Sequence, residues 1–134
     1  MSISKVTISN YITSDGKYPD RWNSAELTLE VRTDAGRFLE VLNNFLAELN
    51  FPPPEINSGW RTAEANIKAG GSKFSAHCLG TAIDFKGVEL YDACDKNQNL
   101  MIKHGIYMEH KSKTPTWTHL TTRRPRSGNR IFYP

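Results

Sequence analysis

Between Thr33 and Leu49, apolar residues recur at Phe38, Leu42, Phe45 and Leu49, with Leu39 and Leu46 beside them. Steps of three and four put these side chains on one face, so the spacing predicts an amphipathic helix of roughly 16 residues. Thr33 or Asp34 can cap its start, and Pro52, Pro53 and Pro54 forbid its continuation. Before it, residues 1–31 read as irregular or extended. The run SDGKYPDRW is rich in turn formers, with Tyr18 and Trp22 available to anchor this arm on the core. After it, EINSGW (55–60) reads as a short strand entering a turn at Gly59. TAEANIKA (62–69) reads as a short helix capped by Thr62 and stopped by Gly70-Gly71. Residues 81–86 alternate as a strand, and 88–103 read as a second longer helix with Gly105 just past its end. IYMEH and TWTHLTT read as strands on either side of a turn at Pro115, and RIFYP as a last edge strand. The expected class is α+β, with a small, mostly antiparallel sheet packed against two longer helices and one short helix.

A chain of 134 residues suits a single domain over 1–134, with 1–31 as an N-terminal arm packed on the core and 122–134 as a basic C-terminal tail. A hydrophobic fraction of 38% with 23% charged residues excludes a disordered chain. No apolar run approaches the ~20 residues of a membrane span, so no membrane partner is expected. MSISKVTISNYITSDG lacks the apolar segment of a Sec signal peptide, which predicts synthesis in a cytoplasm. Cys78 and Cys94 form neither a CxxC pair nor a disulfide framework and read as two small thiols. The net charge of +3 is concentrated in TTRRPRSGNR (121–130). Arg123, Arg124, Arg126 and Arg130 there read either as a solvated face or as an attraction to a polyanion. No aromatic stacking platform is interleaved with them, so nucleic acid is not the expected partner.

The stretch SKFSAHCLGTAIDFKG (72–87) sets His77 and Asp84 among small and apolar residues. Strand parity puts Ala82 and Asp84 on one face and Thr81, Ile83 and Phe85 on the core face. His77 lies an odd number of positions from Asp84, and Gly80 allows the turn that brings it round. In TPTWTHLTT, Trp117, His119 and Thr121 share a face, so His119 on a neighbouring strand would complete a His-Asp-His set. Catalytic zinc uses such a set and keeps a position open for water. The same ligand types also form the iron facial triad, but the HxD or HxE unit and the many strands of that architecture are missing. His104 ends a predicted helix, where histidine commonly caps carbonyls. From spacing alone, Asp84 and His119 can equally be satisfied polar residues on strands.

SAHCLGTAID fits SxHxxGxAxD, SGWR (58–61) lies upstream and WTH (117–119) downstream. In this order the motifs resemble the family of zinc D-Ala-D-Ala carboxypeptidases and L-alanyl-D-glutamate endopeptidases, which share a fold with the Hedgehog signalling domain. The resemblance covers about residues 35–122, and the arm and tail resemble those of small phage or prophage members. It implies that His77, Asp84 and His119 hold Zn2+. It further implies that Arg61 hydrogen-bonds a substrate carbonyl or carboxylate and stabilises the developing oxyanion. Ser75 would orient substrate, Trp117 would wall the site, and Gly80 and Ala82 would keep the metal floor clear.

The sequence departs from the pattern at one position. Many members carry Glu or Asp three residues before the last histidine, and this chain has Thr116, which cannot act as a base. Parity and a hairpin through Pro115 bring Glu109 back beside His119, which makes Glu109 the candidate base and His110 the reserve. The implied substrate is the peptidoglycan stem peptide, with D-Ala-D-Ala carboxypeptidase and L-Ala-D-Glu endopeptidase activities both open. A monomer is expected, reaching the wall through phage lysis or carriage in a virion, or else serving as a cytoplasmic dipeptidase or recycling enzyme. The sequence leaves two other readings open. One is a non-catalytic, zinc-stabilised wall-binding or virion module of the same fold, which Thr116 favours. The other is a DNA-binding virion protein using the arginines.

Overall fold

A computed structural model describes residues 4–71 and 75–134. The fold is α+β, with a five-stranded sheet in the order β1-β2-β4-β3-β5. The strands are β1 (Ile56–Ser58), β2 (Ala82–Lys86), β3 (Tyr107–Glu109), β4 (Trp117–Thr121) and β5 (Ile131–Phe132). Pairing is antiparallel except between β3 and β5. Among the described residues there are six α-helices, α1 (Ile8–Thr13), α2 (Leu29–Leu49), α3 (Ala63–Lys68), α4 (Ala76–Leu79), α5 (Glu89–Asp95) and α6 (Gln98–His104), and a 3-10 turn over Pro19–Asn23.

Each strand sorts its residues by parity. Ile83 and Phe85 of β2, Met108 of β3 and Leu120 of β4 point inward and are fully buried. They form one apolar cluster with Phe38, Leu42 and Phe45 of α2, Leu90 of α5 and Met101 of α6. The opposite face of the same strands carries Asp84, Glu109, Trp117 and His119. The register is fixed between β2 and β4, where Asp84 pairs with His119, Ile83 with Leu120 and Phe85 with Thr118. A slip of one residue would drive Asp84 into the core, and burying that charge unpaired makes such a slip costly.

Several sequence expectations are corrected. The arm is not irregular: Thr7 caps α1 by accepting the Asn10 N–H, and Tyr11 and Ile12 are fully buried. The β-branched residues of VTISNYIT mask this helix, which is too short to form without tertiary support. Tyr11 supplies that support by donating its hydroxyl to the Ala82 carbonyl at 2.8 Å. Trp22 packs against the core, but Tyr18 is exposed, with the Arg21 guanidinium lying 4.0 Å over its ring. Helix α2 starts earlier than expected, because Thr28 rather than Thr33 or Asp34 is the cap and accepts the Val31 N–H. Thr33 lies inside the helix and donates to the Leu29 carbonyl. The helix ends as expected, with Asn50 in the left-handed region just before the prolines. The expected helix over 88–103 is two helices. Asn97 breaks it by leaving helical geometry and donating its side-chain amide to the Ala93 carbonyl at 2.8 Å.

Candidate metal centre

The metal-site candidates come from three separate elements. Asp84 stands on β2 and His119 opposite it on β4. His77 lies on α4, a helical turn where the sequence suggested extended chain bending at Gly80. Ser75 caps α4 by accepting the His77 N–H at 3.2 Å, and Gly80 ends it with φ of 80°. A side chain at Gly80 would also press on Ala35 and on the Val31 carbonyl of α2. Gly80 therefore performs two tasks: it stops the helix and lets α4 lie close to α2.

The SGWR segment is the cradle of this histidine. The Gly59 carbonyl accepts from His77 Nδ1 at 2.8 Å. A Cβ on Gly59 would collide with the Tyr11 carbonyl oxygen, which explains the glycine. Trp60 is buried and donates Nε1–H to the Cys78 carbonyl at 3.0 Å, tying β1 to α4. Ser58 accepts from Arg61 Nε at 2.8 Å. Arg61 then donates from Nη2 to Asp84 Oδ2 at 3.2 Å and from Nη1 to Asn66 Oδ1 at 3.5 Å. A guanidinium has five N–H donors, so Arg61 retains donors for a ligand after these contacts.

The three candidate ligand atoms lie within 4.8 Å of one another. His119 Nδ1 meets Asp84 Oδ1 at 2.8 Å, and His77 Nε2 meets Asp84 Oδ2 at 3.3 Å. Burial resists charge on Asp84, but His77 and the hydrogen bond from His119 outweigh it. They hold the carboxyl well below the usual carboxylate range. Burial pushes the His77 imidazole down, while Asp84 pulls it the other way.

This set fits a divalent cation on its own chemistry. A carbonyl oxygen only accepts, so His77 Nδ1 must carry its proton and donate to Gly59. Nε2 is left facing a carboxylate oxygen at 3.3 Å, where either a proton or a metal ion can bridge the two atoms. Burial weighs against the proton on His77 while Asp84 favours it, and the ligand atoms of His77, Asp84 and His119 lie close enough together to hold one ion. For a metal ion held there, the Gly59 contact is the outer-shell hydrogen bond that orients a histidine ligand.

The triad lines one wall of a cavity of about 870 Å3. A model of the family described as Peptidase M15 matches residues 18–121. The chain belongs to the peptidase M15 family. No curated protein and no solved structure matches it. Membership of M15 implies a metallopeptidase, and the His77–Asp84–His119 cluster is where this M15 chain could hold its metal.

The other sequence candidates fall as follows around the M15 site. Glu109, Ser75, Trp117 and Arg61 all border the cavity. Glu109 is half-buried; burial pushes its carboxyl up, with His119 pulling down and Asp84 pushing up. Thr116 is exposed and does not border the cavity; its carbonyl accepts the Gly87 N–H at 2.9 Å. His110 is turned away from it, with Nδ1 on Ser112 Oγ at 2.9 Å and its ring stacked 4.5 Å from Tyr133. His104 pairs with Glu48 at 2.9 Å, remote from the metal cluster. Cys78 is outside that cluster as well, with Sγ 3.9 Å from the Thr62 carbonyl. Sequence reasoning missed the part played by the C-terminal segment. Arg124, Arg126, Phe132 and Tyr133 form a side of the cavity, and Phe132 sets its ring edge-on to His119 with centroids 6.3 Å apart.

Proposed function

We propose that this M15 chain is a zinc peptidase that hydrolyses a peptide bond in the peptidoglycan stem peptide. The observation that carries the reading is the cluster itself: His77 Nε2 lies 3.3 Å from one Asp84 oxygen and His119 Nδ1 2.8 Å from the other, with the three ligand atoms within 4.8 Å of one another. His77, Asp84 and His119 would hold the ion. When bound there, zinc supplies a Lewis acid that polarises the scissile carbonyl and acidifies water.

The remaining work belongs to the chain. Apart from Asp84, Glu109 is the only carboxylate bordering the cavity among the described residues. Its upward shift suits a base that must hold a proton and release it again. It takes a proton from the attacking water as the water oxygen bonds to the carbonyl carbon. It then passes that proton to the departing amine nitrogen as the C–N bond breaks. Arg61 holds Asp84 in place and turns its remaining N–H groups toward the oxygen on which negative charge develops. Ser75 acts through the helix cap that fixes His77, and Trp117 walls the cleft.

The test is mass spectrometry of purified muropeptides incubated with the protein, with and without a chelator. Chelator-sensitive fragments support the reading, and their masses separate carboxypeptidase from endopeptidase cleavage. Intact muropeptides, despite bound zinc, would leave the non-catalytic module as the better account.

A further inference from the structure

The family match ends at Thr121, but the cavity wall does not. The segment that follows is built into the fold. Met108 N–H donates to the Arg130 carbonyl and His110 N–H to the Phe132 carbonyl, each at 2.8 Å. Between β4 and β5 the chain turns at Gly128, which has φ of 75° and donates its N–H to the Pro125 carbonyl at 2.9 Å. A Cβ at Gly128 would strike the Arg124 guanidinium, so the glycine leaves room for that side chain across the turn. Tyr133 is held by its stack on His110.

The charges in the cavity are unevenly matched. Asp84 is engaged by Arg61 and both histidines. Glu109 is the remaining carboxylate on the wall. Arg124 and Arg126 are exposed on the rim, and among the described residues neither forms an ion pair. The sheet order sets β1 at one edge and β5 at the other, with Asp84 on β2 and His119 on β4 between them. Arg61 follows β1, while Arg124 and Arg126 lie on the connection into β5. Arg61 thus contacts the triad from the β1 side, and Arg124 and Arg126 border the same cavity from the connection into β5. A substrate with one carboxylate engages one side; a substrate with acidic groups flanking the scissile bond engages both.

Building on the peptidase reading, we infer that Arg124 and Arg126 form a carboxylate-recognition subsite that selects acidic peptides. The preferred substrate carries a carboxylate on the side of the scissile bond facing the C-terminal segment. Arginine suits this role because its planar fork meets a carboxylate with paired hydrogen bonds. The segment that carries these arginines lies beyond the residues matched by the family model.

The experiment uses the zinc-loaded full chain and a synthetic stem peptide, with its side-chain carboxylates free or amidated. The variants are Arg124→Gln/Arg126→Gln, Arg124→Lys/Arg126→Lys, and Arg37→Gln as a distant control. The expected result is a KM for the acidic peptide about tenfold higher in the Gln pair, as loss of hydrogen bonds to a charged group implies, with kcat unchanged. The amidated peptide should show no change, the Lys pair should restore part of the preference, and Arg37→Gln should match the native chain. If the Gln pair treats both peptides as the native chain does, or loses activity on both alike, the subsite does not exist and the peptidase reading stands. If the native chain cleaves neither peptide, the peptidase reading fails and calorimetric titration decides the subsite. Tighter binding of the acidic peptide that vanishes in the Gln pair sustains it, and equal or absent binding overturns it.

Discussion

His77 Nδ1 lies 2.8 Å from the Gly59 carbonyl oxygen, and this contact fixes which nitrogen of His77 faces Asp84. Gly59 is also held against Tyr11, whose carbonyl accepts the Trp60 N–H at 3.1 Å. Gly59→Ala would force the strand away from α1 and drag the carbonyl off His77. Loss of an outer-shell partner typically weakens metal binding by about 10–100-fold. A zinc competition titration should show a loss of that order, together with a lower Tm. Native-like affinity would mean that Gly59 does not orient the ligand.

Glu109→Gln should abolish turnover while leaving zinc bound. Removal of a general base costs about 10²–10⁴-fold in rate. The same change should stabilise the chelated protein at neutral pH. The folded-state pKa of Glu109 lies above its unfolded value, so its contribution to stability is fully present below the unfolded value and lost as pH rises through the folded one. Glutamine mimics the protonated form. Melting curves of the metal-free pair should therefore differ at pH 7, with Gln higher, and converge below about pH 4. A lower Tm for Gln at pH 7 would contradict the burial argument.

Asp84→Asn removes the group that Arg61, His77 and His119 all face. Breaking a buried ion pair from one side costs about 3–5 kcal/mol. Chemical denaturation at pH 7 should reveal a loss of that order, and zinc should no longer bind tightly. The sign follows from the depressed carboxyl: its stabilisation is present above the unfolded pKa of about 3.9 and is lost as pH falls toward the folded value. The gap between native and variant should therefore narrow only below about pH 4.

Chelation should lower the Tm of the zinc-loaded protein. The proposed ligands lie on α4, β2 and β4, so a bound ion would tie three separate elements together. At free zinc one hundred times the dissociation constant, linkage predicts about 2.7 kcal/mol of added stability. Calorimetry with and without chelator measures it. An unmoved Tm, with metal loss verified by elemental analysis, would mean that zinc does not cross-link the sheet.

Elements with local signals are legible from the residues alone. The spacing of Phe38, Leu42 and Phe45 specifies α2. Alternation in TAIDF and TWTHLTT specifies two strands and the face on which Asp84 and His119 stand, because side chains on a strand alternate with a period of two. The ordered motifs SAHCLGTAID and WTH contain His77, Asp84 and His119, which the fold brings within 4.8 Å of one another. Tertiary structure decided what local signals do not encode. Helix α1 exists because Tyr11 and Ile12 are buried and Tyr11 reaches Ala82. Helix α4 exists because Ser75 caps it and Gly80 lets it lie against α2. The basic segment after Thr121 has no periodicity that foretells a cavity wall. Its place depends on parallel pairing of β5 with β3, a contact between strands distant in sequence. The cleft's second set of arginines is thus a product of sheet order rather than of any motif.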